Sequence, residues 1–348
     1  MADISSTRYS ILDLAPVRAG GTLMEAFRNT AELARHAEQW GYTRFWLAEH
    51  HNMPGIGSAA TTVLIGHVAG QTSTLRIGSG GIMLPNHSSL VIAEQFGTLE
   101  TLYPGRIDLG VGRAPGSDGL TARAIGRDLG NAEEEFPGQV RELLAYLGTG
   151  SPGQRVRAIP GEGTNVPVWL LGSSTYSAQL AAALGLPFAF ASHFAPQQLL
   201  EAVSLYRQSF QPSKFLGTPY VMIGIPLVAA DTEERARHLA TTPYQRILAL
   251  IRGNPIYMVP PVDSMDGLWN TQERALVERK LGAAVIGGPE TIRGKLSSLL
   301  AATRADEAIF TSDLYEPSDR MRSYEVLAEV MGTTTGPLNL SPGIERNL

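Results

Sequence analysis

Short runs rich in β-branched and aromatic residues alternate along the chain with longer segments whose apolar residues recur at helical spacing. The short runs predict buried strands, and the longer segments predict amphipathic helices. Glycine or proline follows several helical segments and predicts where they end. The predicted strands are residues 9–14, 44–48, 75–79, 106–110, 167–171, 188–191, 221–228 and 308–311, and the clearest helices are residues 22–40, 88–102 and 175–184. Strand and helix therefore alternate throughout.

Strand–helix units that repeat in this way require parallel strands, because each crossover helix returns the chain to the same edge of the sheet. Eight such units favour a closed barrel over an open doubly wound sheet. A Rossmann domain is the alternative fold. Its G-x-G-x-x-G pattern is missing after the first strand, where the chain continues as Ala15-Pro16-Val17-Arg18. We therefore predict an α/β fold of the (β/α)8 TIM-barrel type.

Two segments are longer than a minimal barrel requires. Residues 151–165 are rich in glycine, proline and arginine, and residues 252–280 contain three prolines. We predict insertions after strands 4 and 7, and we expect the second to cover the substrate end of a pocket, because long loops in compact domains are usually functional. Residues 1–331 are predicted to form a single domain, followed by an extended or disordered tail at residues 332–348.

The composition of the chain limits the reactions and partners that it can have. The 348-residue chain has no cysteine, which excludes disulfides, cysteine-ligated zinc and a thiol nucleophile. The net charge of −5 provides no basic surface for phosphate backbones, so we expect no nucleic-acid partner. The first residues do not resemble a secretion signal, and no apolar run approaches the ~18 residues of a membrane helix. We therefore expect a cytoplasmic globular protein that does not bind membranes.

Titratable residues follow the second predicted strand, at the end where α/β barrels carry their active sites. They are Glu49, His50 and His51. This position predicts an acid–base role for at least one histidine. The structural alternative is that a histidine hydrogen-bonds a backbone carbonyl while Glu49 pairs with a basic neighbour. We predict no metal site, because adjacent residues of a strand point to opposite faces and no third ligand has suitable spacing.

Two glycines, Gly80 and Gly81, follow the third predicted strand. Without a Cβ atom, their backbone could lie close to a flat ligand. The alternative is a bulge or a tight corner of the chain.

A candidate phosphate site follows the fourth and fifth predicted strands. Arg113 lies among small residues after strand four, and strand five leads through several serines into an alanine-rich helix. The serines are Ser173, Ser174 and Ser177. Because neighbouring strand ends lie together in a barrel, the guanidinium and the open N–H groups of the helix could share one phosphate. The alternatives are a surface ion pair for Arg113 and simple helix capping by Ser174 or Thr175. Arg127 is a weaker additional candidate.

Several stretches of the first 200 residues together resemble the bacterial-luciferase-like family of flavin-dependent monooxygenases. They are GYTRFWLAEHH at 41–51, LRIGSGGIMLPNH at 75–87, PGRIDLGVGR at 104–113, and the Gly-Ser-Ser segment at 172–174 with LGLP at 184–187. They occur in order and at predicted strand ends. The second half of the chain resembles the family only in its barrel pattern.

The resemblance implies a non-covalent FMN whose ring lies against the end of strand three, where the family often has a non-proline cis peptide. That bond would be Gly80–Gly81 here. His50 matches the family's catalytic histidine, with His51 and Glu49 adjacent to it. The phosphate-contacting positions of the family match Arg113, Ser173, Ser174 and Ser177.

The chain also departs from the luciferases. Gly112 stands where they carry a reactive cysteine, and their second phosphate-binding arginine has no clear counterpart other than Arg127. Light emission from a long-chain aldehyde is therefore not implied.

The reaction implied by the resemblance uses reduced FMN, supplied by a separate NAD(P)H-dependent flavin reductase, together with O2. One oxygen atom passes to a small organic substrate and the other leaves as water. Two alternatives stay open: a flavin- or deazaflavin (F420)-dependent dehydrogenase on the same barrel, and a flavin-binding protein without turnover. The apolar helix faces are compatible with a homodimer, but they also suit packing on the barrel itself.

Overall fold

The structure, a computed structural model, describes residues 4–114, 119–126 and 132–332. Its strands are β1 (Arg8–Asp13), β2 (Arg44–Leu47), β3 (Arg76–Met83), β4 (Ile107–Gly112), β5 (Val168–Gly172), β6 (Phe188–Phe190), β7 (Val221–Ala229), β8 (Val285–Gly287) and β9 (Glu307–Thr311). Each strand from β1 to β7 pairs in parallel with the next, and β9 pairs with both β7 and β1. The ring is therefore closed by eight strands, which confirms the (β/α)8 barrel.

The helices that separate the strands cover the outside of the barrel. They are α1 (Leu23–Gln39), α2 (Thr61–Ala69), α3 (Ser89–Leu102), α4 (Gly119–Ile125), α5 (Ala132–Leu147), α6 (Thr175–Leu184), α7 (Leu199–Ser209), α8 (Glu233–Leu239), α9 (Thr241–Ile251), α10 (Thr271–Lys280), α11 (Pro289–Thr303) and α12 (Pro317–Met331). Among these helices, none combines the length and apolar character that crossing a bilayer needs.

Local sequence signals explain where some of these helices begin and end. Thr22 and Glu25 form a capping box at the start of α1, in which each side chain bonds the other residue's backbone N–H. Gly185 ends α6 in the left-handed region at φ 60°, a conformation that glycine adopts readily.

Two long connections depart from a minimal barrel. Between β4 and β5 the chain forms α4, α5 and a series of turns at 151–165. Between β7 and β9 it forms α8 to α11 and the three-residue strand β8, which pairs with the end of β7 outside the closed ring. Strand β8 was not predicted. Residues 333–348 of the predicted tail lie outside the described residues.

The N-terminal half of the barrel interior holds a buried ionic cluster. The Arg44 guanidinium donates two hydrogen bonds to Glu307, of 2.8 and 3.0 Å, and one of 2.7 Å to Asp108. Arg76 and the Trp46 indole also donate to Asp108. Burial alone would lower the pKa of Arg44, but the charges of Glu307 and Asp108 outweigh burial and raise it. This cluster fills the barrel below the strand ends that carry the site.

An apolar layer lies between the ionic cluster and the barrel mouth. It includes Leu12, Trp46, Trp169, Met222 and Ile309, all of them buried. The rings of Trp46 and Trp169 meet edge to face with centroids 5.2 Å apart. The layer forms a rigid floor beneath the mouth.

Candidate functional site

A cavity of about 180 Å³ opens at the C-terminal ends of the strands. The predicted site residues that line it are Glu49, His50, Gly80, Gly81, Arg113, Ser173, Ser174 and Ser177. The barrel thus brings together side chains that are up to 128 positions apart in the sequence, from Glu49 to Ser177. His51 is the one predicted site residue absent from this lining, and Arg127 lies outside the described residues.

The glycine pair forms part of the cavity wall inside a strand, not after one. The peptide bond Gly80–Gly81 is cis, which confirms the expectation from the resemblance. The pairing of β3 with β4 also shifts register between Gly80 and Ile82, so a bulge is present as well. A Cβ atom on Gly80 would lie 2.6 Å from Leu12 Cδ1, and one on Gly81 would lie 2.7 Å from the Gly110 carbonyl oxygen. At Gly81 the close neighbour is backbone, so only glycine fits there, whereas a larger residue at Gly80 would have to displace the Leu12 side chain.

Glu49 is buried and holds the bulged end of β3. Its carboxylate accepts hydrogen bonds from the Met83 N–H at 2.9 Å, from His51 Nε2 at 2.7 Å and from His87 Nε2 at 2.9 Å. Its own N–H donates to the Gly81 carbonyl. Burial alone would raise the pKa of Glu49, but the hydrogen bond and charge of His87, with the other donors, outweigh burial and lower it. These contacts suit a positioning role and leave the carboxylate ionised.

The two adjacent histidines have different surroundings. His50 borders the cavity floor near Gly80, whereas the His51 ring is held by Glu49 at the side. Of the two, His50 is therefore the one that a ligand in the cavity would meet.

Arg113 and the start of α6 lie together at the other side of the cavity. Gly112 in β4 pairs with Leu171 in β5, and the Arg113 guanidinium lies 4.4 Å from the centre of the Tyr176 ring in α6. Ser174, the N-cap residue of α6, makes no side-chain capping hydrogen bond, so the expected alternative of simple capping by Ser174 is not realised. The first turn of α6 offers its N–H groups to an anion.

The group formed by Arg113 and the serines depends on a close approach between β5 and α6. A Cβ atom on Gly172 would lie 2.2 Å from the hydroxyl oxygen of the buried Ser177. The glycine therefore allows Ser177 to approach the strand end, beside Ser173 and Arg113.

A second cavity of about 220 Å³ adjoins the first. The lining residues shared by the two cavities are Leu12, Ala48, His50, Gly80, His193 and Phe194. The second cavity is mainly apolar and is covered by α9 and by residues 255–256 and 280–286. Arg246 of α9 forms an ion pair with Asp313 within this lining. The segment predicted as a lid, 252–280, thus contributes to the cover.

The sequence interpretation missed two histidines of this region. His87 contacts Glu49, and His193 follows β6 and borders both cavities. His193 could have been found by extending the search of strand ends past the fifth strand. The partnership of His87 with Glu49 depends on how the chain turns after β3, and no sequence spacing indicates it.

Fold and site together define the class of protein. It is a (β/α)8 barrel whose C-terminal mouth combines an arginine and several serines at the start of a helix, a glycine-lined wall and imidazole side chains. The chain belongs to the luciferase-like monooxygenase family, whose profile matches residues 7–307.

Individual relatives agree with this assignment. The chain is 51% identical to the luciferase-like monooxygenase of Escherichia coli strain K12, over 92% of this chain and 96% of the relative. It is 31% identical to the N-acetyl-S-alkylcysteine monooxygenase of Bacillus subtilis strain 168, over 93% of this chain and 98% of the relative. The crystal structure of apo-MsnO8 superposes with a TM-score of 0.84 at 32% identity, over 94% of this chain and 99% of that chain.

Proposed function

We propose that this protein is an FMN-dependent monooxygenase that uses O2 and externally supplied reduced flavin to oxygenate a small organic substrate. The observation that carries the proposal is the single cavity in which the cradle of Arg113 and the serines meets His50 and the glycine pair. A phosphate group needs hydrogen-bond donors, and this cavity offers N–H and hydroxyl groups. A flat ring needs a surface without protruding side chains, and the glycine backbone offers one.

The residues of the cavity fit FMN. Gly172 leaves room for Ser177 to come up to the strand end, and Ser174 leaves the first turn of α6 uncapped. Arg113, Ser173, Ser174 and Ser177 would hold the phosphate. When bound in its reduced form, FMN supplies two electrons, with which O2 yields one oxygen atom for the substrate and one for water.

The protein's own groups orient the reactants and manage the proton. Glu49 anchors the β3 bulge at Gly81 and at Met83, which fixes the wall against which the ring would lie. His50 is suited to hold or transfer a proton at the ring, since an ordinary imidazole changes its charge near neutral pH. The apolar second cavity would receive the substrate and keep water away.

The first experiment tests whether Arg113 and the serines bind phosphate. We expect FMN to bind about 10–100-fold more tightly than riboflavin, which has the same ring without phosphate. Arg113→Met should remove most of this preference, whereas Arg141→Met, an exposed arginine of α5, should leave it unchanged. Equal affinities for FMN and riboflavin in the unsubstituted protein would contradict the phosphate site.

The second experiment tests the reaction. A flavin reductase, NAD(P)H, FMN and ¹⁸O2 are combined with thioether substrates, which the name of the B. subtilis relative makes the first class to examine. We expect one labelled oxygen atom in the product. An oxidised product without label would favour the dehydrogenase alternative, for which the same assay with F420 is the test. Tight FMN binding without oxygen uptake on any substrate would favour the flavin-binding alternative.

A further inference from the structure

His193 occupies the junction of the two cavities. It lies in the loop after β6, and its imidazole borders the first cavity together with Gly224 and the second cavity together with Asp313. Its ring contacts that of Phe194, with centroids 4.2 Å apart and the ring planes tilted by 53°. A molecule that extends from one cavity into the other would pass this side chain.

The two ring nitrogens of His193 have different surroundings. Nδ1 is enclosed and has no hydrogen-bond partner among the described residues. It faces β7 at Gly224, where a Cβ atom would lie only 2.9 Å from it. Nε2 is not enclosed in this way, so it is the nitrogen that a ligand can reach.

Enclosure of Nδ1 also selects the tautomer. An N–H group buried without an acceptor is rarer in proteins than a buried lone pair without a donor. Nδ1 therefore carries the lone pair, on the side of the ring that faces Gly224, and Nε2 carries the proton. In the neutral ring this makes Nε2–H a hydrogen-bond donor that is directed away from β7.

The surroundings keep the ring neutral. Burial lowers the pKa of His193, the charge of Asp313 opposes this and the nearby His50 adds to it, with a net pKa of about 4. The charge of Asp313 is largely compensated by Arg246. At neutral pH the imidazole can thus donate without bringing a positive charge into an apolar cavity.

A purely structural role does not explain this side chain. Leaving a buried polar atom without a partner is destabilising, and an apolar ring of similar size would contact Phe194 without that cost. We propose that His193 is a second imidazole of the active site, whose Nε2–H donates a hydrogen bond to the flavin where the two cavities meet. This inference rests on the proposed function, since the acceptor belongs to the ligands assumed there.

The direct test is NMR of the protein labelled with ¹⁵N-histidine, with and without oxidised FMN. Signals lost in His193→Gln assign the ring nitrogens. At neutral pH we expect an Nε2–H tautomer, and we expect saturation with FMN to shift Nε2 more than Nδ1. FMN binding that leaves both His193 nitrogens unchanged, or an Nδ1–H tautomer, would overturn the inference. A failure of FMN to bind would overturn the proposed function instead.

Turnover gives the second readout. We expect His193→Phe, which keeps a ring in contact with Phe194, to bind FMN within about threefold of wild type but to form about tenfold less product per O2 consumed, as expected for one lost hydrogen bond. His193→Gln retains a donor near Nε2 and should recover most of the product yield. Equal yields for wild type and His193→Phe, or equal losses for the Phe and Gln variants, would contradict a donor role.

Discussion

Replacing Glu49 by alanine tests whether this residue acts by holding the site in place. The substitution removes the acceptor of the Met83 N–H, at a cost of about 1–3 kcal/mol for a backbone donor left without a partner. His51 and His87 are 24% and 31% exposed, so water can replace Glu49 at their rings, and each adds at most about 1 kcal/mol. We therefore expect Glu49→Ala to lower the free energy of unfolding by about 2–4 kcal/mol.

The assay is urea unfolding at equilibrium, combined with FMN titration. Because the lowered pKa of Glu49 keeps it ionised, its contribution should be complete at neutral pH. It should be lost as the pH falls from the ordinary carboxyl value of 4.5 through the lowered value. Loosening of the β3 bulge should also weaken FMN binding. Glu201→Ala, on the exposed face of α7, is the control and should change stability by less than about 0.5 kcal/mol.

Glu49→Gln separates positioning from acid–base chemistry. Glutamine keeps an oxygen for the Met83 N–H and should cost only about 1 kcal/mol, with a moderate loss of turnover. A loss of turnover of about 100-fold at unchanged stability and FMN affinity would instead assign Glu49 an acid–base role. A Glu49→Ala variant as stable as wild type would show that the hydrogen bonds of Glu49 do not stabilise the site.

Four further predictions concern other parts of the molecule. His50→Ala should retain FMN binding in a fluorescence titration while single-turnover oxygenation falls about 100-fold; an unchanged rate would exclude His50 from the mechanism. Arg44→Met should lower the free energy of unfolding by about 3–5 kcal/mol in urea, because it leaves buried carboxylates uncompensated; a neutral effect would refute this. Gly172→Ala should displace Ser177 and raise the Kd for FMN about tenfold without unfolding the barrel. Because the folded pKa of His193 is about 4, wild type should lose about 2 kcal/mol relative to His193→Gln between pH 7 and pH 4.5, and parallel pH profiles would contradict this.

The fold was predictable because its signal repeats. Each predicted strand overlaps a strand of the closed ring, since β-branched runs separated by helical segments leave few other arrangements. The site was predictable where chemistry stands directly at a strand end, as for His50, Arg113 and the serines after β5. In these cases position in the barrel follows from position in the sequence.

The remaining features depend on contacts between distant segments. Glu49 was grouped with the acid–base residues because of its neighbours in the sequence, whereas its partners Met83 and His87 belong to another strand and turn. Gly80 was expected after a strand, but pairing with β4 extends β3 to Met83 around a bulge. The junction role of His193 follows from packing against Gly224, which no local pattern indicates.

The cluster of Arg44, Asp108 and Glu307 determines from which side ligands can reach the cavity. These side chains and the two tryptophans above them fill the interior, so the barrel is closed toward the N-terminal ends of its strands. Ligands therefore reach the glycine pair from the C-terminal side of the strands, where the two adjoining cavities lie, and not through the barrel.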